Sequence, residues 1–298
     1  MAPGSGWAGT IRHTGIDPRA ILEALGHGDA TAVVLPVRAG SDTAIWRVES
    51  AGQLYALRVF PPGREDDCER EIAVMQAALA GGICVPRLHA AGTWRGRSAL
   101  LLSWLPGRPM AEELRTRPWR AWRLGVLFGR MQAAIHAVPA PGVLMRHPDA
   151  WIAWAGPAEE SLQVRLRATE HRADALLHLD YHPLNVMTDG TRVTGVLDWT
   201  NARAGDPRAD AARTITILRV DVTRSGVSLV LERGVRSLFE RGWRHGYAQA
   251  AGRLGDLTLF YAWAGAVMGR DLAHKRGPRD LARIHRWTAI WKERAGCT

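Results

Sequence analysis

Lysine is almost missing from this chain. Of 39 basic residues only Lys275 and Lys292 are lysine, and the rest are arginine. The net charge of +10 therefore reflects a preference for one basic side chain, and on its own it is a poor argument for a polyanionic partner; nucleic acid is not an expected one. Cysteine is also scarce. Cys68, Cys84 and Cys297 are odd in number and share no metal-like or redox spacing, which excludes a disulfide framework and fits reduced thiols. Long hydrophobic runs are lacking too: the longest apolar window, Leu257 to Met268, is too short to cross a bilayer, and the opening MAPGSGWAGTIRHTG has no apolar block of the signal-peptide kind. The expected location is cytoplasmic, with no membrane partner. No internal repeat or low-complexity tract is present. What is there is an apolar fraction of 47% over 298 residues, enough for one large domain or two modest ones sharing a cleft.

Charge is uneven along the chain. Residues 211–298 hold sixteen basic against seven acidic side chains. A solvated arginine-rich face on amphipathic helices is the plain account, and an anionic partner or substrate is the alternative.

Chemistry concentrates between His178 and Asp206, HLDYHPLNVMTDGTRVTGVLDWTNARAGD. Asn185 follows Asp180 by five residues, and Asp198 ends an apolar, strand-like run, Val193 to Leu197. Transfer from a nucleotide triphosphate needs one carboxylate to orient the attacking hydroxyl and oxygen ligands for a Mg²⁺ that bridges the phosphates. H-x-D-x-x-x-x-N followed by a strand-end aspartate supplies that set. Asp180 is the candidate base, and Asn185 and Asp198 are the candidate metal ligands. His178, His182 and Pro183 read as loop geometry.

Together with Val196-Leu197-Asp198-Trp199 and the downstream Gly205-Asp206-Pro207, this block resembles the aminoglycoside phosphotransferase and choline kinase superfamily. The resemblance implies an α+β, two-lobed protein-kinase-like fold, with a small antiparallel-sheet lobe over residues 1–103 and a larger, mainly helical lobe over residues 104–298. It implies ATP or GTP as co-substrate, Mg²⁺, and a small-molecule hydroxyl as acceptor, so that the partners are a nucleotide triphosphate and a small alcohol.

The N-terminal part can be read on that footing. Asp17-Pro18 has the N-cap and first-turn grammar of a short helix ending near Gly26. Two β-rich runs, residues 31–37 and 43–48, flank a turn whose Ser41 and Asp42 N–H groups are candidate phosphate donors, although the turn departs from the G-x-G-x-x-G of protein kinases. Leu54 to Phe60 alternates so that Ala56, Arg58 and Phe60 share a face, as in the V-A-I-K strand of kinases, with Arg58 in the place of the lysine. Cys68, Ile72, Met75 and Leu79 lie at helical spacing. By resemblance Glu71 pairs with Arg58; Glu69 is the competitor, and either is also suited to a solvated first turn. The apolar strand Ala99 to Ser103 runs into Trp104-Leu105-Pro106-Gly107, where backbone groups of Ser103 and Leu105 are candidates to read a purine edge.

Beyond the linker the pattern is helical. Leu124, Leu127, Phe128, Met131 and Ile135 form one apolar stripe, and Asp206-Pro207 starts a helix running through Asp210, with Asp206 expected to anchor the site from behind. Leu179 replaces the arginine of H-R-D, and seven residues between Asp198 and Asp206 leave no room for a phosphorylatable activation loop, so no activating phosphorylation is expected. The basic C-terminal third argues against a polycationic antibiotic and leaves sugars, macrolide-like hydroxyls and anionic metabolites open. Two rival readings stand beside the kinase: a metal-dependent hydrolase using His178, Asp180 and His182 as ligands, and a nucleotide-binding pseudokinase without transfer activity.

Overall fold

The computed structural model describes residues 15–37, 43–220 and 229–297. The chain divides into two compact units, Met1–Ile72 with Pro86–Leu105, and Ala73–Val85 with Pro106–Thr298.

In the first unit the N-cap reading holds at α1 (Pro18–Ala24), where the Asp17 carboxylate accepts the Arg19 and Ala20 N–H groups at 3.0 and 3.3 Å. Strands β1 (Val33–Val37), β2 (Ala44–Ser50), β3 (Gln53–Val59), β4 (Leu88–Trp94) and β5 (Arg97–Ser103) make an antiparallel sheet in the order β1-β2-β3-β5-β4. Period-two alternation decides its faces. Ala44, Trp46 and Val48 of β2, Leu57 and Val59 of β3 and Ala99 and Leu101 of β5 pack on Ile21 and Leu22 of α1. The intervening residues Ile45, Arg58 and Leu100 are paired across the sheet and belong to the other face.

The helix that follows, α2 (Glu65–Ala80), is turned from the expected stripe. Cys68, Glu71, Val74, Met75 and Ala78 are buried, whereas Leu79 is 41% exposed. A buried glutamate in the stripe explains the rotation: Glu71 faces inward to meet Arg58, and that carries Leu79 outward.

The second unit holds β6 (Arg108–Pro109), α3 (Met110–Thr116), α4 (Ala121–Ala137), α5 (Gly142–Met145), α6 (Ala150–Ala153), α7 (Glu160–Ala168), β7 (Ala175–Leu177), β8 (Val186–Thr188), β9 (Val193–Val196), β10 (Arg203–Gly205), α8 (Pro207–Val220), α9 (Leu229–Ala251), α10 (Thr258–Leu272) and α11 (Pro278–Ala295). Its centre is the α4/α9 pair, which approaches backbone to backbone. A Cβ built on Gly129 would lie 2.1 Å from the Trp243 carbonyl oxygen, and one on Gly246 would lie 2.2 Å from that of Val126. Only hydrogen fits at such points.

The expected α4 stripe holds at Leu124, Phe128 and Ile135, but two polar residues are buried with it, Gln132 and His136. Both are paired, as buried polar groups must be. Trp243 Nε1 donates to Gln132 Oε1 at 2.7 Å, and Gln132 Nε2 donates to Thr214 Oγ1 at 2.9 Å. The short strands are the frame for the motif block. β8 pairs with β6 and β9, and β10 returns antiparallel to β7, with Arg203 opposite Leu177.

Two glycines of α9 should respond in opposite directions. Gly246→Ala should lower unfolding stability by about 1–3 kcal/mol, because its methyl meets backbone that cannot yield. Gly234→Ala, with nothing within 4 Å, should raise it by roughly 0.5–1 kcal/mol through helix propensity. Urea unfolding monitored by circular dichroism checks both.

Candidate active site

The segment from His178 to Asn185 leaves β7 and enters β8, so both ends are fixed by strands. Between them Leu179 has φ +58 and is fully buried, a left-handed backbone that a non-glycine residue holds only when its surroundings impose it. Asp210 on α8 imposes it. Its carboxylate accepts Leu179 N–H at 2.7 Å and His178 N–H at 3.2 Å, and it takes His136 Nε2 at 2.9 Å. Arg213, one turn along the same helix, donates Nε to the Leu179 carbonyl at 2.7 Å. The anchor behind the loop is therefore Asp210. Asp206, which the sequence put in that role, spends its carboxylate on the Arg172 and Arg208 N–H groups and the Arg208 guanidinium at the start of α8.

His178 fixes the loop from within. Its Nε2 lies 2.9 Å from the Leu197 carbonyl, and its Nδ1 accepts the Asp180 N–H at 3.3 Å, which together select the Nε2–H tautomer. With both nitrogens committed, His178 has none to offer a metal, and the hydrolase reading loses a ligand. Among the described residues no group of three or more His, Cys, Asp or Glu side chains is placed to hold a metal.

Asp180 and Asn185 are brought together. The Asn185 amide nitrogen donates to the Asp180 carbonyl at 3.0 Å and to its Oδ2 at 3.3 Å, which leaves the amide oxygen directed away from the carboxylate. Asp198 comes to the same neighbourhood through the backbone: Leu197 N–H donates to the Asn185 carbonyl at 2.8 Å, and Asp198 is the next residue, also left-handed at φ +61, with Oδ1 accepting from Thr200 Oγ1 at 3.0 Å. One neutral and one anionic hard oxygen suit Mg²⁺ better than a softer ion.

His182 accepts the Leu184 N–H at Nδ1, 3.3 Å, in keeping with its reading as loop geometry, and it also lies against Asp180. Its Nε2 is 3.6 Å from Asp180 Oδ1. Burial alone would raise the Asp180 carboxyl; the neighbouring His182, with Arg213 and His178 behind it, outweighs burial and holds it well below the ordinary aspartate range. Asp210 follows the same pattern: burial opposes its charge, and His136 and then His178 overcome that and depress it.

In the first unit Arg58 Nη1 donates to Glu71 Oε1, both groups being buried, and Arg58 Nε donates to Thr43 Oγ1 at 3.1 Å. Glu69 is exposed. Ser103 is tied to Arg87 by N–H and by Oγ, at 2.8 and 2.9 Å, so its N–H is not available to a purine. Leu105 makes no backbone hydrogen bond among the described residues. Ser41 and Asp42 lie outside the described residues. The missed residues, Asp210, His136 and Arg213, gave no motif signal; a carboxylate, an imidazole and a guanidinium on otherwise apolar helical faces were the only trace.

The antiparallel five-stranded sheet, the mainly helical second unit and the fixed Asp180–Asn185 loop define a kinase-like phosphotransferase. The sequence profile of the phosphotransferase enzyme family matches residues 33–263, and the chain belongs to that family. No curated protein matches in a sequence search. Among solved structures, the aminoglycoside phosphotransferase APH(4)-Ia superposes with a TM-score of 0.65 at 16% identity, over 92% of this chain and 96% of that one. A thermostable mutant of it, in ternary complex with AMP-PNP and hygromycin B, gives 0.64 at 18% identity over 93% and 98%. The Plasmodium vivax ethanolamine kinase gives 0.56 at 10% identity over 90% and 84%. At these identities the likeness is one of fold. No helix among the described residues is long and apolar enough to cross a membrane.

Two measurements probe the loop. A carboxyl-detected NMR titration should find Asp180 still ionised below the ordinary aspartate value of about 3.9, and His182→Ala should move its titration upward. Asp210→Ala should lose about 3–5 kcal/mol by leaving His136 and two N–H groups unpaired. Because the folded-state value of Asp210 is depressed, its contribution is complete above the unfolded value near 3.9 and is lost as pH falls below it. The acid limb of the wild-type stability curve should therefore be steeper than that of the variant.

Proposed function

We propose that this protein moves the γ-phosphoryl group of ATP or GTP to a hydroxyl of a small molecule, with Asp180 as the base. What carries the reading is the direct tie between Asp180 and Asn185 with Asp198 one residue from the same backbone contact. Asp180, ionised at neutral pH, accepts a hydrogen bond from the acceptor hydroxyl and takes its proton as the oxygen bonds to the γ-phosphorus. The bond from that phosphorus to the β,γ-bridging oxygen breaks, and the nucleoside diphosphate leaves. Its depressed basicity suits orientation of the hydroxyl more than early proton removal, which a dissociative transfer does not need.

Asn185 Oδ1 and the Asp198 carboxylate would hold Mg²⁺, which would supply positive charge to offset the charge building on the leaving group. Arg58, steadied by Glu71, binds the α and β phosphates; the guanidinium keeps the charge of the usual lysine and grips oxygen bidentately. The carbonyl of Ser103 and the backbone of Leu105 read the purine edge, and the Ser41 and Asp42 amides cover the phosphates. Residues 1–103 serve nucleotide binding, and residues 104–298 serve catalysis and the acceptor.

The test is a mass-spectrometric screen for phosphoryl gain, with each nucleotide against pooled aminoglycosides, macrolides, sugars, amino alcohols and hydroxy acids. Asp180→Ala should lower turnover by about 10²–10⁴-fold while sparing nucleotide binding, and Asp198→Ala should weaken Mg²⁺-dependent nucleotide binding as well. Stabilisation by Mg·ATP with no product from any pool would make the protein a nucleotide-binding pseudokinase instead.

A further inference from the structure

The seam between α4 and α9 brings two rows of side chains together on the surface of the second unit. Cβ atoms built on Gly242 and Gly246 would lie 2.3 and 2.2 Å from the carbonyl oxygens of Trp122 and Val126, so the two helices advance side by side in the same direction. Trp122, Val126 and Arg130 follow one another at helical spacing along α4, and Leu238, Arg241, His245 and Gln249 do so along α9. Two contacts tie the rows. The Trp122 and His245 ring centroids are 5.3 Å apart, and Arg130 Nη2 donates to Gln249 Oε1 at 2.9 Å. Trp119, in the single turn Pro118–Arg120 that leads into α4, extends the first row.

The chemistry of this face is unlike that of an ordinary solvated surface. Trp119 is 73% exposed, Trp122 41% and Leu238 39%, so three large apolar side chains lie open to water, where each is unfavourable without a cover. Arg123 and Arg241 are exposed and make no hydrogen bond or ion pair among the described residues. Neither row carries an acidic side chain. Glu240 of α9 is buried, paired with Arg219 of α8 and with Arg244.

Indoles and a leucine ringed by guanidinium groups have the composition of a membrane-surface contact: the indoles settle among headgroups, the aliphatic chain reaches the acyl boundary, and the arginines meet anionic lipid. A second copy of the chain would set arginine against arginine across a two-fold axis. A single nucleic-acid strand would stack on aromatic planes, which leaves Leu238 without use, and the Trp122 ring already rests on His245. We infer that this α4/α9 face rests on an anionic phospholipid bilayer, with Trp119, Trp122 and Leu238 in the headgroup layer and Arg123 and Arg241 on its phosphates. The expectation of no membrane partner followed from the lack of a spanning segment, which a surface contact does not need.

Co-sedimentation with sucrose-loaded vesicles tests this, one set of phosphatidylcholine alone, one carrying roughly 30% phosphatidylserine, and one of the same anionic mixture with brominated acyl chains. The protein should sediment with anionic vesicles, stay in solution with neutral ones, and be released by about 1 M salt. Arg123→Gln and Arg241→Gln should each weaken binding by about fivefold. Arg286→Gln, at an exposed arginine of α11, should leave it unchanged. Brominated lipid should quench part of the tryptophan fluorescence, and Trp119→Ser, with circular dichroism as in the wild type, should remove most of that quenching. Equal sedimentation with neutral and anionic vesicles, sedimentation with neither, or quenching that survives Trp119→Ser overturns the inference. Equal loss from all three arginine variants also does so, because it reduces the contact to net charge. Analytical ultracentrifugation without lipid and titration of a labelled oligothymidylate complete the test: a dimer that Trp119→Ser abolishes, or tighter Trp119-dependent binding of the oligonucleotide, gives the face to a second copy or to a nucleic-acid strand and overturns the lipid assignment.

Discussion

One buried carboxylate holds the working part of this protein in shape. Asp210 has no solvent around it, and its oxygens are taken by two consecutive backbone N–H groups and an imidazole. A charge in that position is tolerable only because each partner is itself fixed: His136 by Tyr247 at 2.8 Å, and the loop by the strands on either side. The left-handed Leu179 is the strain this arrangement sustains. Without it the chain would relax toward ordinary backbone, and the Asp180 carboxylate would lose the direction that Asn185 and His182 give it.

The first unit repeats the logic with fewer parts. Arg58 and Glu71 are both buried, on a strand and a helix joined by a short connection, and each makes the other's burial possible. A free guanidinium on that strand would lie along whichever surface it met. Paired, it is held in place by Glu71 at Nη1 and by Thr43 at Nε.

Much of this was legible in the residues. The β-rich run at residues 43–48 marked a strand, alternation in Leu54 to Phe60 marked a strand and its faces, and Asp17-Pro18 and Asp206-Pro207 marked helix starts, because these are local effects of backbone and side-chain geometry. The motif block gave the family. The rest depends on contacts between segments far apart in sequence. Asp210 and His136 are 74 residues apart, and beyond their lying on apolar helical faces nothing local shows that they meet. Asp206 was given the role of Asp210 because capping grammar is visible in sequence while a partner on a distant helix is not. Leu79 was placed inward because an apolar stripe outranks a glutamate until the arginine that receives it is known.

The backbone contact between α4 and α9 has a consequence for how the family member can vary. Side chains that interdigitate can be exchanged for others of similar volume, with neighbours adjusting; two main chains in direct apposition at Gly129 and Gly246 offer no such slack. Drift over evolutionary time should then be strongly asymmetric, free on the outward sides of both cylinders and frozen along a narrow seam of hydrogen atoms.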